Sequence, residues 1–417
     1  MANEVRDREV LRAVVQAQVE RTPALDVHTH IYSSAFGPLL LRGPEELLTY
    51  HYLQAETNRV LAEHSPAAFM ALPKAEQARL VWRTLFVERS PLSEAGRGVI
   101  TALHRLGVAS VRDYAAALAR FAGLSAGEHV DLVLRAANVG GVVMTNDPLN
   151  PAERAVWEQG GARDARFRAA LRIDPILVDW PAAAPRLFEL GYAVERDLPE
   201  ASYPEIARFL RDWAARMQPA YLAASLPPTF AMPSDTACGR ILTRAVLPVC
   251  RELALPFAMM IGVKKRIMPE LGDGGDGVGR ADLDAVEHLC RSYPANLFLL
   301  TVLARENQHQ AVVLARKFKN LHLFGCWWFN NNPSIVEEIT RERIEMLGTS
   351  FTPQHSDARV LDQLVYKWAH ARRVIAAVLV EKYSLLIDEG WYPAEEEITR
   401  DVALLMGGEF ERFLAQH

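Results

Sequence analysis

Residues 25–30 read LDVHTH, a short apolar run that ends in two histidines, His28 and His30. In a β-strand, residues i and i+2 point to the same face, so both imidazoles are directed towards one point. Paired imidazoles are a frequent part of a divalent-metal site. The run therefore predicts a strand that ends either in a metal site or in a pair of hydrogen-bonded structural histidines.

Further β-rich runs follow along the chain, and helical patterns separate most of them. With the first run, the predicted strands are Leu25–His30, Gly140–Thr145, Arg168–Ile173, Pro219–Ser225, Phe257–Val263, Asn296–Leu303, Leu321–Trp328 and Gly348–Pro353. Several are continuously apolar, as in parallel strands that helices cover. Strands that alternate with helices in this number predict an α/β fold, a distorted TIM-type (β/α)8 barrel. Active sites of such barrels lie at the carboxyl ends of the strands, where the two histidines fall.

The length in excess of an ordinary barrel lies between the first two predicted strands. Residues 44–130 carry helical patterns, among them Pro44–Glu63 and Pro73–Val87, and no strand pattern. We therefore predict one domain over residues 1–417, with a helical insertion at 44–130 that covers one mouth of the barrel. The tail, residues 362–417, is predicted to be helical. An excursion as long as the insertion is usually functional.

Composition narrows the classes of protein that remain. The 417 residues are 50% apolar and 23% charged, with 46 basic and 51 acidic residues and a net charge of −5. This excludes a disordered chain, and the lack of a long basic run argues against nucleic-acid binding. The apolar runs are too short to span a membrane, and the first residues do not resemble a signal peptide. Four widely spaced cysteines fit no disulfide framework, so we expect a cytoplasmic enzyme.

A second candidate segment, residues 354–359, reads QHSDAR and follows the eighth predicted strand. Asp357 would face the first strand across the closing seam of the barrel. Its carboxylate is therefore a candidate third metal ligand, a general base, or both. Arg359 can bind a substrate carboxylate through its fork of donors. An N-cap aspartate followed by a surface arginine is the structural alternative.

Three other segments carry chemistry-bearing side chains. The TYHY segment at 49–52 places an imidazole beside two phenols, a group that can transfer protons or simply pack in a helix. The GCWWFN segment at 325–330 offers a tryptophan pair for a pocket wall or for the core. The GDGGDG segment at 272–277 formally fits a dinucleotide motif. We interpret it as a loop, because no strand runs directly into it and two aspartates would repel a pyrophosphate.

Taken together, these segments resemble the uronate (glucuronate) isomerases, a branch of the amidohydrolase superfamily. The resemblance spans nearly the whole chain and rests on DVHTH at 26–30, LLTYHYL at 47–53, TNDP at 145–148, the Arg172 segment, FGCWWFNNN at 324–332 and SDAR at 356–359. It implies a distorted barrel that holds one divalent metal on His28, His30 and Asp357. We expect zinc, with manganese, iron or nickel as alternatives.

The resemblance also implies the substrate and the remaining site residues. His51 and Tyr52 match a catalytic histidine–tyrosine pair, and Arg172 and Arg359 match substrate-binding arginines; we add Trp328 to the pocket. The implied reaction converts D-glucuronate to D-fructuronate, or D-galacturonate to D-tagaturonate, by proton transfer between C2 and C1. Asp357 and Tyr52 are the candidate bases. The implied partner is thus a small hexuronate, and we expect a homo-oligomer.

Two other functions stay open at this point. A metal-dependent hydrolase could use the same site on a lactone, ester or amide of a sugar acid, and a non-catalytic sugar-acid binder could retain the pocket. Met260 stands where the family often has a fifth-strand histidine, so a site that uses this histidine is excluded. Hydrolytic relatives often recruit such a ligand, and a mere binder would not need a complete metal triad. Both points favour the isomerase.

Overall fold

The structure, a computed structural model, describes residues 4–160 and 164–416, so both ends of the predicted range 1–417 and the last residue of 362–417 lie outside it. A parallel sheet of seven strands forms its centre. In chain order, which is also their order in the sheet, the strands are Ala24–Thr29, Val139–Asn146, Phe167–Arg172, Leu222–Leu226, Phe257–Ile261, Phe298–Val302 and Leu321–Leu323. The predicted α/β class is confirmed. Each of these strands overlaps one of the first seven predicted ones.

The eighth predicted strand, Gly348–Pro353, is wrong as a strand. It contributes a single parallel bridge, between Thr352 and Phe324 at the end of the seventh strand. A few residues later the same segment reaches the first strand, where the amide of His30 donates to the carbonyl of Ala358 at 2.8 Å. This irregular segment therefore contacts both the last and the first strand of the sheet.

The seventh predicted strand, Leu321–Trp328, is too long, because the regular strand ends at Leu323. Gly325 has a φ of +68°, a conformation that a β-strand cannot contain. The ring of His355 packs directly on this glycine, and a Cβ built there would lie only 1.9 Å from the ring Cδ2. Close packing on His355 thus requires glycine and ends the strand.

Helices surround the sheet. The α-helices are Arg8–Arg21, Pro44–Leu48, His51–Val60, Pro66–Met70, Lys74–Trp82, Glu94–Arg105, Tyr114–Phe121, Ala126–Ala137, Pro151–Glu158, Asp174–Val178, Trp180–Glu189, Ser202–Met217, Ala237–Ile241, Leu247–Glu252, Asp284–Ser292, Gln308–Lys317, Pro333–Leu347, Gln363–Asp388, Glu395–Ala403 and Glu409–Leu414. Short π-helical turns cover Arg83–Val87, Leu242–Val246 and Leu404–Gly408, and 3-10 turns cover Ser34–Leu39, Pro269–Gly275, Arg305–Asn307 and Trp328–Asn330.

The chain between the first two strands consists of several short helices. The predicted helix Pro44–Glu63 is divided, because Tyr50 has an extended backbone with ψ 142° before the next helix begins at His51. That next helix packs against the 3-10 segment Pro269–Gly275, which follows the fifth strand. The two segments thus meet near the carboxyl ends of the strands.

Apolar side chains alternate between the two faces of the sheet. The face enclosed by the sheet carries one small or branched residue from each of the first six strands, namely Val27, Val143, Ala170, Ala223, Ala258 and Leu299. The opposite face packs against the surrounding helices in a larger apolar cluster. No helix in residues 4–160 and 164–416 combines the length and apolar composition needed to cross a bilayer.

Candidate metal centre and active site

His28 is the penultimate residue of the first strand, and a hydrogen bond on one side holds its ring in place. Its Nδ1 is 3.1 Å from the hydroxyl oxygen of Tyr221, and that hydroxyl donates to the carbonyl of Val27 at 2.8 Å. Because the hydroxyl proton is used, its oxygen accepts from Nδ1–H, which leaves a lone pair on Nε2. This Nε2 is buried and has no hydrogen-bond partner among the described residues.

His30 is held in the same way by a different hydroxyl. Its Nδ1 is 3.0 Å from Oγ1 of Thr145, which donates to the carbonyl of Thr29 at 3.1 Å. The Nε2 atom of His30 is thereby also left with a lone pair. It lies 3.3 Å from Oδ1 of Asp357. Both imidazoles therefore present the atom and the tautomer that a metal ion binds.

Asp357 comes from the irregular segment and completes the triad. Its Oδ1 is 3.7 Å from Nε2 of His28, and the three potential ligand atoms all lie within 4.8 Å of one another. Its φ is +50°, an uncommon conformation that aspartate tolerates better than most residues. Burial lowers the pKa of His28 to about 3 and the pKa of His30 well below its usual value, so both rings are neutral. Two neutral nitrogens and one carboxylate oxygen fit a divalent cation.

Asp26, the first residue of the DVHTH motif, is buried behind the triad. One of its oxygens accepts from the amide of Ser356 at 3.0 Å, and the other accepts from Nε1 of Trp368 at 2.8 Å. Burial raises the pKa of this carboxyl group to about 6. Asp26 thus ties the first strand to the segment that carries Asp357 and to the helix Gln363–Asp388.

A cavity of about 800 Å³ opens beside the triad. Its described lining includes the cationic side chains Arg172, Arg186, Lys265, Arg266 and Arg359 and the acidic side chains Asp174, Asp179, Asp273, Asp276 and Asp357. Cationic and acidic side chains are equal in number, so the pocket as a whole is not strongly positive. An anionic substrate would therefore be held by individual guanidinium groups.

Arg172, the last residue of the third strand, reaches this cavity in a fixed orientation. Its Nε and Nη2 atoms donate to the two oxygens of Asp174 at 3.0 and 2.8 Å. Asp174 also accepts from the amide of Ser225 at 3.0 Å. Burial opposes the charge of Arg172, but the Asp174 carboxylate outweighs it and raises the guanidinium pKa. The Nη1 donors remain for a ligand.

Arg359 reaches the cavity from the other side of the triad. Its Nη1 pairs with the carboxylate of Asp273, which lies in the GDGGDG segment. This segment is a 3-10 turn and loop, in agreement with its interpretation as a loop, and it belongs to the pocket wall. Burial opposes the charge of Arg359, while nearby Tyr50 and Asp273 favour it and raise its pKa.

An aromatic cluster forms another part of the wall. His51 and Trp328 both line the cavity, and their ring centroids lie 5.5 Å apart. Nε2 of His51 and Nε1 of Trp328 are buried and have no hydrogen-bond partner among the described residues. Tyr50 also lines the cavity. Tyr52 is not among the described lining residues; its ring packs against His51 at 4.6 Å and Tyr50 at 4.8 Å. Burial lowers the pKa of His51 to about 3, so its ring is neutral.

The structure thus brings together nearly all the side chains singled out in the sequence. It also adds three that sequence reasoning missed, namely Tyr221, Asp174 and Asp273. Asp174 follows Arg172 by two positions, the same spacing that separates Asp357 from Arg359, and this repeated pattern was an available signal. The other two, Tyr221 and Asp273, gain their place only through the fold. On the fifth strand Met260 lines the cavity, where it offers no nitrogen ligand.

No protein-family model and no curated protein matches the chain. The chain is similar to the crystal structure of a uronate isomerase from Bacillus halodurans, with 53% identity, a TM-score of 0.97, and coverage of 99% of this chain and 98% of that chain. A uronate isomerase from Thermotoga maritima (14% identity, TM-score 0.75, 97% of each chain) shares the fold. So does a glucuronate isomerase from Caulobacter crescentus (16% identity, TM-score 0.76, 98% of this chain and 95% of that chain). With 53% identity over almost the whole of both chains, this protein belongs to the uronate isomerase family.

Proposed function

We propose that this protein interconverts an aldose hexuronate and the corresponding ketose by moving a proton between C2 and C1. The candidate reactions are D-glucuronate to D-fructuronate and D-galacturonate to D-tagaturonate. The observation that carries the proposal is that the His28, His30 and Asp357 triad shares one cavity with two guanidinium groups, Arg172 and Arg359. An acidic substrate can therefore be bound and activated in the same place.

The triad would hold one divalent metal through Nε2 of each histidine and Oδ1 of Asp357. We propose zinc, and the donor set also suits manganese, iron or nickel. A bound metal would supply positive charge that stabilises the oxyanion developing beside the reacting carbons. The hydrogen bonds from Nδ1 of His28 to Tyr221 and from Nδ1 of His30 to Thr145 would keep both rings directed at the ion.

The two arginines orient the substrate. Arg172 is locked by two hydrogen bonds to Asp174, so its free Nη1 donors have a defined direction. Among the described residues, the guanidinium of Arg359 is hydrogen-bonded to Asp273 through Nη1, so its Nε and Nη2 remain for a carboxylate or for hydroxyls. A guanidinium binds a carboxylate through two parallel hydrogen bonds, which fixes orientation as well as position. Trp328 adds an indole N–H for a sugar hydroxyl.

Proton transfer requires a base within hydrogen-bond reach of C2. We assign this role to Asp357, which would take the C2 proton and return it to C1. As the enediol forms, the C1 carbonyl oxygen gains negative charge and then a proton. As the enediol collapses to the ketose, the C2 hydroxyl loses its proton and C1 gains one. His51 is neutral and Tyr52 keeps its proton, because burial raises its pKa well above the usual value, so both suit the movement of hydroxyl protons.

The architecture supports a finer description of the fold. We propose a distorted (β/α)8 barrel of the amidohydrolase superfamily, formed as one domain, in which the irregular segment 352–358 takes the place of an eighth strand. Its contacts to the last strand and to the first strand support closure. The insertion at 44–130 would cover one mouth, since its residues Tyr50 and His51 line the cavity and its helix His51–Val60 meets the segment Pro269–Gly275.

One assay separates the isomerase from the hydrolase alternative. Protein stripped of metal and reloaded with zinc, manganese, iron or nickel is incubated with D-glucuronate, with D-galacturonate, and with lactone, ester and amide derivatives of sugar acids. We expect ketose formation from at least one hexuronate and no metal-dependent release of acid from the derivatives. Hydrolysis without any ketose formation would overturn the proposal.

A further inference from the structure

Lys367 is a buried lysine that the reaction described above does not use. It lies in the helix Gln363–Asp388 and is only 4% exposed. Within residues 4–160 and 164–416 its ammonium group has no hydrogen bond or ion pair. Its polar contacts are with two aromatic faces, the ring of Tyr52 at 5.3 Å and the ring of Tyr366 at 5.5 Å from Nζ.

A small second cavity adjoins this lysine. Its volume of about 10 Å³ is that of one water site, and its lining includes Lys367, Glu94, Gln354 and His370. The Oε1 atom of Gln354 is buried there without a hydrogen-bond partner among the described residues. Glu94 accepts from Nδ1 of His370 at 2.5 Å. Polar groups from three parts of the chain thus converge on the ammonium without forming an ion pair with it.

Tyr52 separates this ammonium from the wall of the active-site cavity. The ring of Tyr52 contacts the ammonium group of Lys367. The same ring also contacts His51 and Tyr50, which line the cavity. The negative charges of Asp357 and Glu94 both favour the protonated form of Lys367 and act to raise its pKa. The positive charge therefore lies one side chain behind the residues that would handle protons.

Burying an unpaired cation is unfavourable, and an apolar residue of similar size usually suits a protein interior better. Burial does lower the pKa of Lys367 to about 8, but the charges of Asp357, Glu94 and Asp26 oppose the shift. The amine is therefore still largely protonated at neutral pH. A charge kept at this position, against the cost of burial, points to a role other than packing.

We propose that Lys367 is a positioning residue of the proposed isomerase, which orients Tyr52 by a cation–π contact and stabilises negative charge that develops beside Asp357. Lys367 is not among the described residues that line the large cavity, so its role is exerted through Tyr52. Electrostatic groups aimed at developing charge lower the barrier of the chemical step and leave ground-state binding of substrate nearly unchanged. This inference rests on the proposed function.

The test replaces Lys367 by methionine, which has a similar length and no charge. In the metal-loaded full-length protein we expect Lys367→Met to lower kcat by about tenfold to a hundredfold, with KM within about threefold of the wild type. Metal content and melting temperature should stay close to the wild-type values. A merely structural role would instead change the melting temperature or both constants together.

The control is Lys382→Met in the same helix. The Lys382 ammonium pairs with Glu345 and Glu381, away from either cavity. We expect its kcat and KM to remain within about twofold of the wild type, as for an ordinary surface ion pair. The same loss of kcat in both variants would show that the effect is not specific to Lys367 and would overturn the inference.

A second variant, Lys367→Gln, keeps a polar group for the small cavity and removes only the charge. We expect it to lose kcat like the methionine variant. Wild-type kcat in a folded glutamine variant would overturn the inference, and so would failure of both variants to fold, which would assign Lys367 a structural role. If the wild-type protein itself forms no ketose, the proposed function fails; if the wild type does and the variants match it, only the present inference fails.

Discussion

The amide nitrogen of Asp357 lies 3.2 Å from the carbonyl oxygen of His28 and donates a hydrogen bond to it. One contact therefore joins the end of the first strand to the irregular segment that returns from the seventh. It also brings two potential metal ligands side by side, because the carboxylate of Asp357 comes within 3.7 Å of the His28 imidazole. The contact that links the first strand to the segment after the seventh strand therefore also brings these candidate metal ligands together.

Asp357 combines metal binding with proton transfer in this account. Replacing it by asparagine removes both the negative charge and the basicity, with almost no change in shape. We expect Asp357→Asn to lower kcat by about a thousandfold or more. Initial rates of ketose formation at saturating hexuronate, measured with metal content and circular dichroism on the same sample, check this.

The matched control is Asp276→Asn. Asp276 also lines the cavity, but it is engaged by Lys265 at 2.7 Å and by the amide of Arg266 at 2.9 Å. We expect a much smaller loss of kcat from this change. Wild-type turnover in folded Asp357→Asn would refute the catalytic role of Asp357.

Tyr221 fixes the tautomer of His28 and should set metal affinity without touching the metal. Tyr221→Phe removes the oxygen that accepts from Nδ1, which frees the ring to rotate or to protonate Nε2. We expect metal affinity to fall about tenfold to a hundredfold. Competition with a chelator of known affinity measures this, and Tyr383→Phe, which only loses a hydrogen bond to Asp401, is the control. Equal affinity in the two variants would contradict the assigned tautomer.

Arg359 should determine affinity for the acid group of the substrate. Arg359→Lys keeps the charge but loses the planar fork that binds a carboxylate through two hydrogen bonds. We expect KM for the hexuronate to rise about tenfold or more. The same change at Arg305, which pairs with Glu338 on the surface, should leave KM unaltered. Initial rates measured over a range of hexuronate concentrations give KM for both variants. An unchanged KM in Arg359→Lys would show that Arg359 does not bind the substrate carboxylate.

The buried His322 gives the protein a defined response to acid. Its Nε2 lies 2.9 Å from Oγ1 of Thr352, and burial lowers its pKa to about 3. An unfolded histidine has its ordinary pKa, about 6.5, so between these values the unfolded chain binds a proton that the folded chain does not. Stability due to this group is therefore full above about pH 6.5 and is lost as the pH falls towards 3, by up to about 1.4 kcal/mol per pH unit.

His322→Gln should accordingly reduce the fall in the free energy of unfolding on acidification. Urea titrations of metal-free protein at about pH 7 and about pH 4.5 measure the difference. His309→Gln removes an exposed imidazole instead of a buried one, so it is the matched control for the substitution itself. A wild-type slope in His322→Gln would show that this ring is already protonated in the folded state.

The fold was largely predictable, because parallel strands buried on both faces leave short, continuous apolar runs in the sequence. The prediction failed where tertiary contacts override such runs. The apolar stretch beyond Leu323 is not a strand, since Gly325 must turn to let His355 pack on it. Residues 348–353 look like a strand but pair only at Thr352, because the segment that follows must bend to place Asp357 beside the first strand.

The grouping of the candidate site residues could be predicted where those residues lie close together in the sequence. The sequence itself shows that only one position lies between His28 and His30, and only one between Asp357 and Arg359. The structure places all four side chains around one cavity. Tyr221 and Asp273 were not predictable, since their roles arise from contacts between residues far apart in the chain. No local pattern tells a hydroxyl that orients a ligand from one that is merely buried.

Hydrogen exchange at C1 and C2 tests the proposed proton transfer most directly. Metal-loaded protein is incubated with D-glucuronate and with D-galacturonate in deuterated water, and proton NMR monitors C2 of the aldose and C1 of the ketose. We predict deuterium at C2 of the recovered aldose or at C1 of the ketose for at least one hexuronate, and none with Asp357→Asn. Protein with its full metal content that exchanges no hydrogen at either carbon and forms no ketose from either sugar would contradict the account.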